Sequence, residues 1–377
     1  MLTRRVRSWL LGGWTAVVGA LASTRTRTAV PPALDAELPG RGWATPRAGT
    51  HGPDLDGEAA FAAWLDEALS KAPNQAAYAA TYAASAAAVV KWRRRYRGNP
   101  KLWNRLMKDK VVKELVECAP VVAACRDYVE ALSGPPTTIV DLCSGKGYLA
   151  MLLSELLPAE KVDRIILADK AWPLHGTEVG PGHINWDHIY DYYEEWPITL
   201  TTSKTDLKSK SAVRNFERRV LDECEGSIVV LAVHLCGTLS LKALDLFNSH
   251  EKCALLVLKP CCLPGIVHSK RDEIFVVGSH SFDSNEVCSN GRFKGNVWKG
   301  PPRHMIRGKF ERWALNLEKG AQLRGGDGAK SLEHIVVQEK GGFQNAFIFA
   351  EHGTATGPLW AGIADRRSPA PGRMPPA

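Results

Sequence analysis

The sequence predicts an α/β fold, a mostly parallel sheet with an N-terminal helical region. Three observations predict it. Beyond Ser133-Gly134-Pro135-Pro136, short β-branched runs alternate with helical stretches, the texture of repeated strand–helix–strand units. Before that break, residues 57–132 are alanine-rich, and Phe61, Trp64, Leu65 and Leu69 recur at helical spacing. Between the two textures, Thr138-Ile-Val-Asp141 runs into a glycine turn and then into a stretch carrying Leu149, Leu152, Leu153, Leu156 and Leu157.

The 377 residues are 45% hydrophobic and 23% charged, a globular balance that excludes collagen-like, wholly disordered and disulfide-scaffold classes. Nine cysteines, an odd number, lie partly inside apolar runs and form no CxxC pair, which indicates a reducing compartment.

Residues 1–50 read as targeting segment and linker. Arg4, Arg5 and Arg7 precede an apolar run, Trp9–Ala22, too short to span a bilayer. Ser23-Thr24-Arg25-Thr26-Arg27-Thr28 follows without an acid. Signal-like then transit-like sequence is an organelle address, for a plastid or a mitochondrion. The alternative is a disordered basic tail on a cytoplasmic protein. Residues 51–133 read as a helical basic region, 134–350 as the sheet domain, and 351–377 as a disordered tail rich in Pro, Gly and Arg.

Strands are expected at Thr138–Val140, Arg164–Ala168, Ile198–Thr201, Ser227–Val233, Ala254–Leu258, Ile274–Val277, Ile335–Gln338 and Ala346–Ala350. The last two are placed to pair as an edge hairpin. Gly308–Leu317 reads as a late helix packed through Phe310, Trp313, Leu315 and Leu317.

The word Asp141-Leu-Cys143-Ser-Gly145-Lys-Gly147-Tyr-Leu-Ala150 fits G-x-G-x-x-G/A, the turn that lets backbone N–H groups approach a ligand. Asp141 at the strand end suits a cationic ammonium and disfavours a pyrophosphate, which argues against an NAD-type cofactor. Asp169 ends the next strand, where a ribose hydroxyl pair is bound. Ammonium and ribose together describe S-adenosylmethionine.

Asp141–Gly147 thereby resembles motif I of the class I S-adenosylmethionine-dependent methyltransferases, and Asp169 resembles their motif II acid. The resemblance covers residues 134–350 and implies a Rossmann-like class I methyltransferase sheet. Cys143, Gly145 and Gly147 fall in the cofactor loop. The family fold also implies an adenine-binding acid after strand three, for which Asp206 fits; an N-cap role for Asp206 is the alternative. His234-Leu-Cys236-Gly and Cys261-Cys262 are similar to a branch that includes the tRNA acceptor-stem 2′-O-methyltransferases and their methyltransferase-like relatives. Those tRNA enzymes carry a Cys/His zinc-finger spacing absent from this sequence.

Strand ends four and five carry His234, Cys236, Lys259, Cys261 and Cys262. No Asn/Asp-Pro-Pro-aromatic word is present there, which disfavours methylation of exocyclic base amines. His234 or Lys259 as a base acting on a hydroxyl is one reading. Cys236 with Cys261 or Cys262 as nucleophile and helper is a second. A metal held by His234, Cys236, Cys261 and Cys262 is a third, but the spacing matches no zinc motif and no metal is assigned. Cysteines that simply pack beneath the cofactor are the fourth.

Lys91-Trp-Arg93-Arg94-Arg95-Tyr-Arg97 interleaves cations with aromatics, a pattern suited to RNA. The alternative is a solvated helix face with inward aromatics. The net charge of +8 is concentrated: residues 91–113 hold ten Lys/Arg against Asp109 alone. The expected function is methyl transfer to RNA, tRNA or rRNA. A non-catalytic binding or assembly factor and a protein methyltransferase are the alternatives.

Overall fold

The computed structural model describes residues 57–107, 111–290, 292–294, 297–301, 303–337 and 344–367. The candidate address at 1–50 lies outside them. The described residues all fall within one compact unit. Four helices come first: α1 (Glu58–Ser70), α2 (Gln75–Arg95), α3 (Pro100–Met107) and α4 (Val111–Ala131). Then follow β1 (Thr137–Leu142), α5 (Tyr148–Leu156), β2 (Val162–Asp169), α6 (Asp187–Tyr190), β3 (Leu200–Lys204) and α7 (Lys210–Phe216). The chain continues through β4 (Ile228–Cys236), α8 (Leu239–Ser249), β5 (Cys253–Cys262), α9 (Ile266–Ser269), β6 (Ile274–Val277), β7 (His280–Asp283) and α10 (Ser284–Val287). It ends with β8 (Arg292–Lys294), β9 (Val297–Lys299), α11 (Arg303–Gly320), β10 (Ala329–His334), β11 (Ala346–Glu351) and α12 (Gly357–Asp365). No helix among the described residues is long and apolar enough to cross a membrane.

The main sheet has the order β10-β11-β5-β4-β1-β2-β3. β1 to β5 are mutually parallel, and β11 runs antiparallel to both its neighbours. Leaving β1, the chain fills one side with β2 and β3, then returns to place β4 on the other. That reversal opens a crevice at the carboxyl ends of β1 and β4, where ligands bind in such sheets.

Both sheet faces are buried, so the strands read as continuous apolar runs sorted by period two. Ile139, Ile165, Leu167, Val229, Leu231, Val257 and Phe349 point to a core shared with α1, α2, α4, α5 and α12. Val140, Ile166, Val230, Ala232, Leu256 and Ile348 point to a second core with α7, α8 and α11. The N-terminal helices therefore cover one face of the sheet, and the boundary expected at residue 134 divides elements that share a core.

Three elements differ from expectation. Ile274–Val277 leaves the main sheet and pairs with β7. The edge strand before β11 is Ala329–His334 rather than Ile335–Gln338. The tail expected to be disordered contains α12 instead. Its Leu359 is fully buried against α4-side residues, and Thr356 and the Trp360 indole donate to the buried Glu351 carboxylate. Arg366 pairs with Asp127 and Arg367 with Glu333. In α11, Phe310, Trp313 and Leu317 are buried as expected, whereas Leu315 faces solvent.

Because Leu359 has no exposed surface, Leu359→Ala should destabilise the fold by about 2–5 kcal/mol. Urea denaturation would measure this. A loss below about 0.5 kcal/mol, the range of surface substitutions, would show that α12 is not part of the core.

Candidate active site

The turn after β1 passes through three left-handed residues: Cys143 (φ 55), Gly145 (φ 55) and Gly147 (φ 85). Cys143 is the costly one, since a side chain rarely adopts this conformation. Its N–H donates to the Ala168 carbonyl at 2.7 Å, fixing the turn to the end of β2. At Gly147 a Cβ would lie 2.3 Å from Leu167 Cδ2, so a side chain there would have to displace Leu167. At Gly145 a Cβ would meet nothing within 4 Å. That glycine leaves open space above the loop, the cradle a close-approaching ligand needs.

Asp169 holds the loop from below. Its carboxylate accepts from Gly145 N at 3.2 Å and Ala171 N at 2.8 Å. Trp172 Nε1 donates to Ser144 Oγ at 3.1 Å. Asp141 is 3% exposed at the end of β1. Burial, and then the charge of Asp169, push its carboxyl up to about 8. A cavity of about 40 Å³ opens there, lined by Glu114, Asp141, Cys143, Ser144, Tyr148 and Val233 among others. Asp141 comes from β1 and Val233 from β4, so the cavity sits in the crevice between them. A larger groove of about 380 Å³ lies between α4 and α12, lined by Asp127, Glu130 and Arg366, and holds none of the candidate residues.

Asp206 follows β3 and is half-buried. Its Oδ1 accepts from Lys208 N at 2.9 Å, while the N-cap of α7 is Ser209. Asp206, Asp169, Asp141 and burial all act on the Cys143 thiol, which is pushed up to about 12, burial first. Asp141, Cys143, Gly145, Gly147, Asp169 and Asp206 are thus brought to one end of the sheet.

The four catalytic candidates separate. His234 lies on β4, but its side chain is outside what the structure describes. Lys259 is 1% exposed, with Nζ 3.9 Å from Glu117 Oε2 on α4 and 5.9 Å from the Phe347 ring centre. Glu117, equally buried, also takes Lys113 Nζ at 3.1 Å. Lys259 therefore ties the sheet to α4. Cys261 and Cys262 join Cys236: the three Sγ atoms lie 3.4 to 3.6 Å apart. Hydrogen bonding to Cys236 and then Cys262, with burial, pushes the Cys261 thiol well up. Cys262 is pushed up to about 11, first by its bond to Cys236. Neither is poised as a thiolate nucleophile in this arrangement.

The basic segment is largely spent within the fold. Trp92 and Tyr96 are buried. The Arg95 side chain is 1% exposed, paired with Glu155 and Glu195 and stacked over Trp196 at 4.2 Å. Lys91 pairs with Glu155, Arg94 with Glu58, and Arg93 lies 4.5 Å over Phe61. Lys91, Arg94 and Arg97 keep exposed surface.

One functional residue was not evident in the sequence. His188 is buried, and burial lowers its pKa to about 4. The neutral ring donates from Nε2 to the Lys146 carbonyl at 2.7 Å, bracing the glycine loop. Around it, His175 stacks on Trp186 at 5.4 Å, Tyr190 meets both edge-on, and Tyr190 stacks on Tyr193 at 6.2 Å. His175 and Tyr193 are exposed. On sequence the run Ile184-Asn-Trp186-Asp-His188 could line a substrate entrance, with Trp186 as core or stacking platform, but nothing in it marks His188 as a brace.

The parallel order and the glycine crevice define a Rossmann-like α/β ligand-binding domain. Residues 110–268, less than half the chain, match the family model described as a methyltransferase domain. The matched residues run from α4 into α9 and include the five parallel strands and the glycine loop. No curated protein matches the chain in sequence. Among solved structures, the chain is similar to a candidate rRNA-methylase from Clostridium thermocellum, with 10% identity, 61% of this chain and 95% of that one covered, and TM-score 0.32. It is also similar to an S-adenosylmethionine-dependent methyltransferase from Clostridium acetobutylicum, with 10% identity, coverage of 68% and 99%, and TM-score 0.30. A third is the plantazolicin methyltransferase BpumL in complex with SAH, with 9% identity, coverage of 76% and 94%, and TM-score 0.29. Overlaps this loose carry no weight; the fold stands on the strand order.

The Asp141 carboxyl sets a pH dependence. Its folded pKa of about 8 lies above its ordinary 3.8, so between these values the folded chain holds a proton that the unfolded chain releases. Stability therefore falls as pH rises through that window, by up to about 1.4 kcal/mol per pH unit. His188 and His352, both lowered from 6.5, act oppositely until their unfolded forms have lost their protons, so across the interval from pH 6.5 to 8 it is the difference between wild type and Asp141→Asn that reports Asp141. Urea denaturation of the ligand-free protein across that interval should show the slope, and Asp141→Asn should flatten it. An equal slope in the variant would refute this environment for Asp141.

Proposed function

We propose that the protein is an S-adenosylmethionine-dependent methyltransferase acting on RNA. The observation that carries the cofactor assignment is the pairing of Asp141 with the Gly145–Gly147 turn and Asp169 in the β1/β4 crevice. The residues fit the group. Asp141, held up by burial, becomes a stable anion once a cation stands beside it. The open face of Gly145 admits a ligand against the backbone. Asp169 spends its carboxylate on the loop N–H groups and keeps lone pairs for ribose hydroxyls. Asp206 stands on the adenine side. When bound, the cofactor supplies an electrophilic methyl group; the chain binds, orients and dehydrates.

Three features support RNA. The aromatic shelf of His175, Trp186, Tyr190 and Tyr193 leaves the carboxyl end of β2 and can stack unpaired bases. The words His234-Leu-Cys236-Gly and Cys261-Cys262 resemble the branch of tRNA acceptor-stem 2′-O-methyltransferases. Of the basic segment, exposed Arg97 and the solvent-facing ion-pair members Lys91 and Arg94 are the cations left to meet phosphates, while Arg93 and Arg95 are held inside the fold.

Titration calorimetry should detect S-adenosylmethionine binding and none with NAD. Asp141→Asn should weaken that binding by at least about 10-fold, the loss of one charge-assisted contact. Absence of binding would end the assignment. Methyl-label transfer to total RNA and to total protein then separates the substrates: label in protein alone overturns RNA, and binding without any transfer identifies a non-catalytic factor.

Trp186→Ala should weaken RNA binding by about 5- to 150-fold, the worth of one stacked base. Arg94→Ala with Arg97→Ala should lower the salt dependence of binding by about two phosphate contacts. Filter binding at several salt concentrations measures both. Unchanged affinity in Trp186→Ala would remove the shelf from the RNA path.

A further inference from the structure

We infer that Cys236, Cys261 and Cys262 form a zinc site at the carboxyl ends of β4 and β5, independent of the methyl-transfer assignment. Four observations meet there. First, the Sγ–Sγ separations are 3.4, 3.6 and 3.6 Å. Three thiolates on one tetrahedral zinc, each at about 2.3 Å, stand about 3.8 Å apart. The triangle needs only a few tenths of an ångström of expansion.

Second, the backbone is arranged to make it. Consecutive strand residues point to opposite faces, yet the adjacent Cys261 and Cys262 both turn their sulfurs to Cys236. The β4–β5 register slips between Val233 and Leu235 and again between Leu235 and Cys236, which brings Cys236 opposite Cys262. Pro260, without an N–H, sits at that slip. Bulges of this kind re-aim side chains beside functional sites. Gly237 (φ 56) then turns the chain away, its N–H donating to the Cys262 carbonyl at 3.3 Å. The Gln344 amide donates to the Cys261 carbonyl.

Third, packing does not account for the cluster. Cys118, Cys125, Cys224, Cys253 and Cys288 are the buried cysteines that fill cores. Cys236 and Cys262 are exposed and Cys261 only half-buried. Fourth, the three sulfurs alone form a ligand group among the described residues. An all-thiolate set selects zinc over the oxygen-seeking Mg²⁺ and Ca²⁺. No other described His, Cys, Asp or Glu joins the three sulfurs.

The full chain, purified under reducing conditions without chelator, tests this. Elemental analysis should find about one zinc per chain. Co²⁺ titration of the metal-free protein should give the intense thiolate-to-cobalt absorption of a tetrahedral sulfur site. Cys236→Ser and Cys262→Ser should each lower zinc affinity by at least about 100-fold, since even the loss of a residue behind a ligand costs 10- to 100-fold. Cys288→Ser should leave affinity unchanged. In case a variant fails to fold, alkylation of the wild-type protein gives the same answer: zinc should shield Cys236, Cys261 and Cys262 together. Overturning results are a chain without zinc, a Co²⁺ titration without thiolate absorption, alkylation indifferent to zinc, or a disulfide among the three.

Discussion

Everything at the ligand end of the sheet depends on one steric constraint, the passage of the β1–α5 turn over Leu167. With a Cβ at Gly147 only 2.3 Å from Leu167 Cδ2 and the backbone left-handed at φ 85, a side chain there would have to displace the buried Leu167 and strain the turn. The chain therefore crosses β2 in a left-handed turn, and α5 begins directly above it. That crossing fixes where Asp141 ends, where Asp169 reaches up to Gly145 N, and where open space is left. A small residue at 167 would relieve the clash but remove the floor on which the loop rests. The left-handed Cys143 is held in place by the same crossing, through its bond to Ala168.

The helical layer belongs to that site as much as to the core. Glu117, on α4, faces Lys259 of β5 and Lys113 of its own helix, with both members of the Glu117–Lys259 pair 1% exposed. A buried pair of this kind adds little net stability, but removing one partner strands a charge, which costs about 3–5 kcal/mol. Glu114 and Cys118, one turn before and on the same helix, reach the wall of the Asp141 cavity. The register of α4 on the sheet therefore shapes the cavity. Arg95, paired with Glu155 of α5 and Glu195 in the segment before β3, fastens α2 to the same layer.

What was legible in the sequence was local. Asp141-Leu-Cys-Ser-Gly-Lys-Gly needs only its own backbone preferences, and the strands flanking it are apolar enough to announce themselves. What was illegible depends on partners far along the chain. Ala329–His334 has no β-branched run and becomes a strand only by pairing with β11. Gly357-Pro358 looked like tail composition, but Pro is suited to a helix start, and the buried Glu351 tethers that turn. The basic segment displayed its cations but not Glu58, Glu155 and Glu195, which lie 36 to 100 residues away. His188 carried no pattern, because its role is a single bond to the Lys146 carbonyl.

The crevice is asymmetric in chemistry as well as in topology. Its β1–β2–β3 half presents carboxylates and a glycine turn, groups that hold a cation and hydroxyls without reacting. Its β4–β5 half presents sulfur, with Lys259 of β5 held against Glu117. Hard oxygen donors and soft sulfur donors thus face each other across the β1/β4 boundary, and each half suits a different ligand. The separation follows from backbone geometry. On the first half a turn without side chains lets a ligand approach the main chain. On the second a register slip at Pro260 turns consecutive side chains the same way. Pro260, which has no N–H to give the ladder, lies opposite Leu235 at that interruption. The interruption concentrates three thiols beside the loop, and it is there that the chemistry of this protein departs from that of a plain cofactor-binding sheet.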